Sequence, residues 1–274
     1  MPKRDLYFRT PILNAAGMLG FAPDFREKQK PDFSEKSGFW NWDMLGAFTT
    51  NPISRRPRRV TARPVAAEYP GGFLLHTGLP NPGFRAALKK YARQWADSSL
   101  PIVVHLLADR PEETARMVEA LEGIENVMAA ELGFGPSPVE DAVLSTLEAA
   151  LGELPLIVSL APGNAERLAP RAVAAGAAAV SLSAPRGSLN VEDGTLAAGR
   201  LYGPSLFPQS LEVVRRLSGA GVPVIGGGGV YTREQAEVMK EAGALAVQLD
   251  AVLWRGGIQP RREPSSAVIF PARW

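Results

Sequence analysis

The chain has 274 residues and no cysteine. Disulfides, thiolate zinc sites, iron–sulfur clusters held by this chain and a cysteine nucleophile are therefore excluded. It has only two histidines, His76 and His105, so a histidine-rich metal centre is excluded and any Ser–His–acid triad must use one of them. No metal is expected. No stretch approaches the roughly 18 consecutive apolar residues that cross a bilayer. The start, Met1-Pro-Lys-Arg-Asp-Leu, has basic residues but no apolar segment after them, so a cytoplasmic protein away from membranes is expected. Thirty basic residues against 28 acidic ones leave a net charge of +2, which gives no electrostatic case for nucleic acid. What remains for chemistry is carboxylates, arginines, hydroxyls, aromatics, backbone amides or a borrowed cofactor.

Short apolar runs alternate with longer amphipathic segments. Strands are expected at residues 11–16, 46–50, 101–107, 127–132, 155–160, 178–183, 222–226 and 244–249. Most are continuous apolar runs, as suits a parallel sheet covered on its outer face by helices. Helices are expected at 84–97, 112–121, 139–151, 165–175, 209–220 and 233–242. Leu88, Tyr91 and Trp95 share one helical face, and Asp109/Glu112 and Thr232/Gln235 have capping-box spacing. Gly243 stands where a helix-ending glycine belongs. Eight strands with helices between them predict an α/β fold, a single (β/α)8 TIM barrel over residues 1–274; an open doubly wound sheet is the alternative. Residues 17–45 and 51–84 are long connections after strands 1 and 2, where barrels build their sites. Pro260, Pro264 and Pro271 predict a shortened or missing eighth helix, with the last strand covered by an irregular tail or another subunit.

The most informative stretch is Val222-Pro-Val-Ile-Gly-Gly-Gly-Gly-Val230, an apolar strand entering four glycines and then a helix start. Glycines admit close backbone approach and a helix start offers unpaired N–H donors, so this reads as a phosphate cradle. A tight strand–helix turn is the plainer reading.

Together with that loop, four further stretches resemble the dihydroorotate dehydrogenase family in their order. They are Pro11-Ile-Leu-Asn-Ala-Ala-Gly17, Gly78-Leu-Pro-Asn-Pro-Gly83, Gly199-Arg-Leu-Tyr-Gly-Pro204 and Ala242-Gly-Ala-Leu-Ala-Val-Gln248. The resemblance covers roughly residues 11–253 and implies a TIM barrel with FMN at its C-terminal face. It implies that Ala16 and Gly17 border the flavin, that Gly203 lies near its phosphate tail, and that Gly228 and Gly229 hold the phosphate. Thr50, Asn51, Ser159, Asp250 and Ala251 complete the implied cofactor positions, and Leu75, Thr77, Gly78 and Asn81 are the implied substrate positions.

The departures from the family pattern matter as much. Asn51 and Ser159 stand where the family has lysines. Glu131-Leu-Gly-Phe-Gly-Pro-Ser-Pro138 puts Gly133 and Pro138 in place of substrate-binding asparagines and Pro136 in place of the catalytic base. Leu75, and Ser183 or Ala184, replace two more asparagines. Proline cannot abstract a proton and leucine cannot hydrogen-bond a pyrimidine, so dihydroorotate is not the expected substrate. After the eighth strand comes Asp250, a carboxylate that repels a phosphate dianion unless it turns away or meets an arginine such as Arg255.

Other candidates keep two readings each. His76 is an acid or base over the barrel mouth, or a structural loop residue. His105 is a flavin-pocket residue or a satisfied core histidine. Ser137 is a weak base displaced by one position from the family's register. Glu131 matches the family pattern, and a salt bridge inside the barrel is its commoner role. Arg55-Arg-Pro-Arg-Arg59 with Arg63 clamps an anion, a flavin phosphate or a partner, or is structural. Phe33, Phe39, Trp40 and Trp42 form a lid or an oligomer interface. The leading expectation is an FMN-dependent oxidoreductase acting on an unidentified small molecule, as a homo-oligomer with a possible electron-transfer partner subunit. A catalytically degenerate binding or structural barrel and a non-flavin phosphate-binding lyase or isomerase are the alternatives.

Overall fold

The computed structural model describes residues 6–24, 42–191 and 194–255. Eight strands form one all-parallel sheet: β1 (Ile12–Asn14), β2 (Phe48–Thr49), β5 (Ile102–Leu107), β6 (Val127–Gly133), β7 (Leu156–Leu160), β8 (Ala179–Leu182), β11 (Val224–Gly227) and β12 (Ala246–Leu249). The spatial order is β1-β12-β11-β8-β7-β6-β5-β2, and a parallel bridge between Leu13 and Ala47 joins the two ends into a barrel. All eight expected strands are present, as an α/β TIM barrel requires.

Six helices lie outside the barrel among the described residues: α1 (Phe84–Ala96), α2 (Pro111–Glu122), α3 (Glu140–Ala149), α4 (Pro162–Ala174), α5 (Phe207–Gly219) and α6 (Arg233–Glu241). Trp95 on α1 is fully buried, and Leu88 and Tyr91 pack on the same core. The Thr232/Gln235 capping box forms on α6, and Gly243 follows its C-cap with φ +101°. The Asp109/Glu112 pair forms no such box. α2 starts at Pro111 with Arg110 at its N-cap and no side-chain cap bond, because proline at the first helical position moves the start past the expected spacing.

The connections of residues 17–45 and 51–84 are less plain than expected. The second carries a hairpin, β3 (Val65–Tyr69) and β4 (Gly72–His76), turned at Pro70-Gly71. It pairs with β10 (Leu196–Tyr202), which pairs with β9 (Arg186–Asn190) from the connection after β8. This four-stranded antiparallel sheet, β3-β4-β10-β9, was not anticipated, because β3, β4 and β10 do not alternate apolar with polar residues in sequence. Trp42, itself buried, opens a 3-10 turn and lies against Phe48. Phe33, Phe39 and Trp40 of the expected aromatic cluster, Pro260, Pro264 and Pro271 of the tail, and the Arg255 side chain lie outside what is described. β12 is followed by a 3-10 turn, Ala251–Arg255.

The barrel interior is built in layers by the two-residue period of its strands. Leu13, Ala47, Val103, Ala129, Ile157, Ala179, Ile225 and Ala246, one from each strand position, form a closed apolar cluster with Leu6 and Phe8 packed on it. Two residues further along the same strands the inward positions become Thr49, His105, Glu131, Ser159, Ser181, Gly227 and Gln248. The barrel is therefore apolar at its base and polar at its C-terminal mouth. No helix among the described residues is long and apolar enough to cross a membrane.

Candidate active site

The polar layer is organised around Glu131, which is fully buried. His105 Nδ1–H donates to its Oε2 at 2.6 Å; Ser181 Oγ and Gln248 Nε2 donate to Oε1 at 2.5 Å and 3.2 Å. Burial alone would raise this carboxyl's pKa, but the positive charge of His105 and the three hydrogen bonds outweigh it and hold Glu131 below the usual carboxylate range. The far nitrogen of the imidazole, Nε2, is buried with no hydrogen-bond partner, and His105 borders a small cavity at the mouth. Gly133 makes room for it: a Cβ there would lie 2.3 Å from His105 Nε2. The His–Glu pairing follows from register, because His105 on β5 stands directly opposite Glu131 on β6.

Above this floor opens a cleft of ≈ 690 Å³, within the range of small-molecule sites. Arg55, Arg56, Arg58, Arg110, Arg186 and Arg200 line it, against the carboxylates of Asp109 and Glu113. The excess of guanidinium groups makes it suited to an anion. Leu75, His76, Thr77 and Gly78 form one wall, and Pro136 lies on another. Ser137 is exposed and is not among the lining residues. Asn81 is committed elsewhere: its Oδ1 accepts from Ser54 N, Ser54 Oγ and Gly83 N, and its Nδ2 donates to Leu79 O, so its amide ties the loop together.

The implied cofactor positions divide in the same way. Ser159 borders both the cleft and a smaller cavity of ≈ 50 Å³, which Ala16, Gly228 and Asp250 also line. Gly203 and Gly229 are neighbours, since a Cβ on Gly229 would come within 2.9 Å of Gly203 O. Thr50 and Asn51 serve the frame: Thr50 Oγ1 accepts from His105 N, and Asn51 exchanges hydrogen bonds with the backbone of Gly20. Gly17 and Ala251 are not lining residues of either cavity.

Asp250 sits inside the glycine cradle. Its Oδ2 accepts from Gly229 N at 3.2 Å, while its Oδ1 is buried without a partner. Burial pushes its pKa up to about 6, against the pull of the Gly229, Ala251 and Val252 amides. Tyr202 closes the corner. Its ring stacks on Phe73 with centroids 5.5 Å apart and tilts against Trp254 at 6.0 Å, and Trp254 Nε1 donates to Met18 O. Burial raises the Tyr202 phenol pKa, with Arg200 opposing and the Asp250 charge adding to the rise.

These residues test whether the FMN implied by the glycine loop fits. The cleft has room for a ring system, and His105 borders the adjoining space. The phosphate end does not fit. The cradle amide of Gly229 is already given to a carboxylate, and two like charges about 4 Å apart repel by about 4 kcal/mol at an effective dielectric constant of 20.

Among the residues that sequence reasoning did not single out are Ser181, Gln248, Arg200 and Tyr202. Ser181 and Gln248 carried a signal, a polar residue inside an apolar strand. The described residues contain no group of three or more His, Asp or Glu side chains placed to hold a metal ion.

A (β/α)8 barrel with a glycine loop after its seventh strand and a polar mouth defines a class of small-molecule enzyme scaffolds. The chain belongs to the dihydroorotate dehydrogenase family, whose model matches residues 4–262. Curated relatives include the proteins named dihydroorotate dehydrogenase B (NAD(+)), catalytic subunit, of Geobacillus sp. (strain WCH70) and Latilactobacillus sakei subsp. sakei (strain 23K). The first is 27% identical over 265 residues, covering 89% of this chain and 81% of the relative. The second is 29% identical over 267 residues, covering 88% and 83%. The protein of the same name from Geotalea daltonii is 29% identical over 262 residues, covering 88% and 82%.

Proposed function

We propose that the chain is a dihydroorotate dehydrogenase-like, flavin-dependent oxidoreductase that acts on a small anionic substrate other than dihydroorotate. The observation that carries this reading is the arginine-lined cleft above the His105–Glu131 pair, with Pro136 on its wall where the family's base is expected. Arg56, Arg58 and Arg200 bind and orient the anion. His105, its Nδ1 fixed by Glu131, borders a cavity that it shares with Ser159 and is positioned to take part in proton transfer there. Hydride chemistry belongs to the flavin when bound; the chain's own residues position the substrate and hold protons. The relatives are named as catalytic subunits, and an electron-transfer partner subunit is part of this reading, because a chain without cysteine holds no thiolate cluster of its own.

A second reading, a barrel that binds a small anion without turning it over, is favoured by the carboxylate in the phosphate cradle. Flavin content and anaerobic reduction separate the two. The full-length protein is expected to take up flavin and to keep it oxidised when mixed with dihydroorotate. A protein that takes up no flavin overturns the oxidoreductase reading in favour of the second. Rapid bleaching by dihydroorotate overturns the substrate assignment alone.

A further inference from the structure

We propose that Asp250 closes the barrel's phosphate cradle with its own carboxylate, so that this chain selects a flavin tail ending in a hydroxyl, riboflavin, over the phosphomonoester FMN. The inference rests on the flavin-dependent reading above and names which flavin that site takes.

The cradle itself is intact. Gly228 and Gly229 have φ of +98° and +76°, and a Cβ on Gly229 would lie 2.5 Å from Phe207 N, so the backbone is held where only glycine fits. Such a loop presents N–H donors inward. Here the Gly229 donor is spent on Asp250 Oδ2. The other carboxylate oxygen is buried and has no partner, and Asp250 lines the ≈ 50 Å³ cavity together with Ala16, Gly228 and Tyr202. A buried acceptor without a donor is incomplete, and it is completed by a group that brings a proton. An alcohol does so. A phosphate dianion brings only acceptors and further negative charge, so it cannot complete the carboxylate and is repelled by it. The same carboxylate thus fills the phosphate's place and sets the chemistry of whatever ends there.

The test uses the full-length protein freed of flavin, as wild type, Asp250→Ser and Asp250→Asn. Riboflavin and FMN are titrated separately by flavin fluorescence, and inorganic phosphate is titrated against the backbone amide signals of Gly228 and Gly229. Wild type is expected to bind riboflavin at least about tenfold more tightly than FMN, and Asp250→Ser to reverse that order by gaining about tenfold or more for FMN. Asp250→Asn keeps the shape without the charge, which guards against a serine variant that fails to fold; its FMN-to-riboflavin ratio is expected to move toward one. Phosphate is expected to shift the Gly228 and Gly229 signals in Asp250→Ser and not in wild type. Equal or tighter binding of FMN by wild type overturns the proposal. If no variant binds either flavin, the flavin-dependent reading fails and the phosphate titration still judges Asp250. A gain in Asp250→Ser upholds the closed cradle, and shifts already present in wild type overturn it.

Discussion

Glu131 and Asp250 are carboxylates buried a few strands apart at one barrel mouth, and the barrel treats them oppositely. Glu131 lies within β6, where register brings a histidine, a serine and a glutamine onto its two oxygens. Burial works against its charge and loses. Asp250 stands just past a strand end, where backbone amides reach one oxygen and nothing reaches the other. Burial works against its charge and wins. A buried carboxylate is thus a settled part of the framework when side chains from several strands converge on it. It is a functional reservoir when only a loop backbone meets it.

The sharpest way to break this contrast is to remove the settled carboxylate. Glu131→Ala strands His105 Nδ1, Ser181 and Gln248 in a dry interior, and a loss of about 3–5 kcal/mol is expected, read by urea denaturation at neutral pH. The pH dependence has a definite sign. Because the folded-state pKa of Glu131 lies below its ordinary 4.5, its contribution is complete above that value and is lost as pH falls through the lowered one. Glu131→Gln should flatten this acid limb. An unchanged acid limb would show that other carboxylates govern it.

Asp250 should behave in the opposite sense. Its pKa rises from 3.8 to about 6, so the folded state binds the proton more tightly than the unfolded one and stability falls as pH rises across that window. At neutral pH the charged carboxylate then costs up to about 3 kcal/mol. Asp250→Asn is expected to be more stable than wild type at pH 8 by a part of that amount, with the gain shrinking as pH falls toward 4. Tyr202 and Arg200, which face the same corner, are common to both proteins and leave the difference intact. A gain independent of pH would mean that the amide packs better and that charge is not the cause.

How much of this was legible in the sequence follows the same division. The eight barrel strands could be read because they are continuous apolar runs; their polar mouths were only partly legible, since His105 and Ser159 stood out while Ser181 and Gln248, single polar residues at the inward period of the same runs, did not. The β3-β4-β10-β9 sheet was not legible. Its strands are largely half-buried or exposed and β3, β4 and β10 do not alternate apolar with polar residues, and the one clear turn signal, Pro70-Gly71, sat in a stretch that otherwise reads as loop. For Asp250 the conflict of charge with a phosphate could be foreseen. That the carboxylate would turn inward and take the Gly229 amide could not, because it depends on the backbone of two loops that meet only in the folded barrel. The bonds that tie up Asn81 have the same origin: they join Ser54 and Gly83 across a connection with no periodicity to read.

Gly133 offers the finest probe of the Glu131 side of the comparison. The residue lies two positions after Glu131 on the same inward face, and the family pattern has asparagine there. In this chain the space of that side chain is taken by the His105 imidazole, since even a Cβ would stand 2.3 Å from Nε2 and 2.8 Å from Cε1. A histidine at 105 and a glycine at 133 are therefore one feature. Gly133→Ala must push the ring away from its carboxylate, and a loss of about 1–3 kcal/mol is expected from the overpacking. The informative readout is the acid limb: with His105 displaced, the charge that lowers the Glu131 pKa weakens, and the limb should move to higher pH. Gly135→Ala is the control two residues on, where an added Cβ meets nothing within 4 Å, and it should leave both stability and pH profile unchanged. Should Gly133→Ala lower stability and leave the acid limb in place, the imidazole tolerates the methyl group without leaving Glu131, and the settled carboxylate owes its low pKa to Ser181 and Gln248 instead.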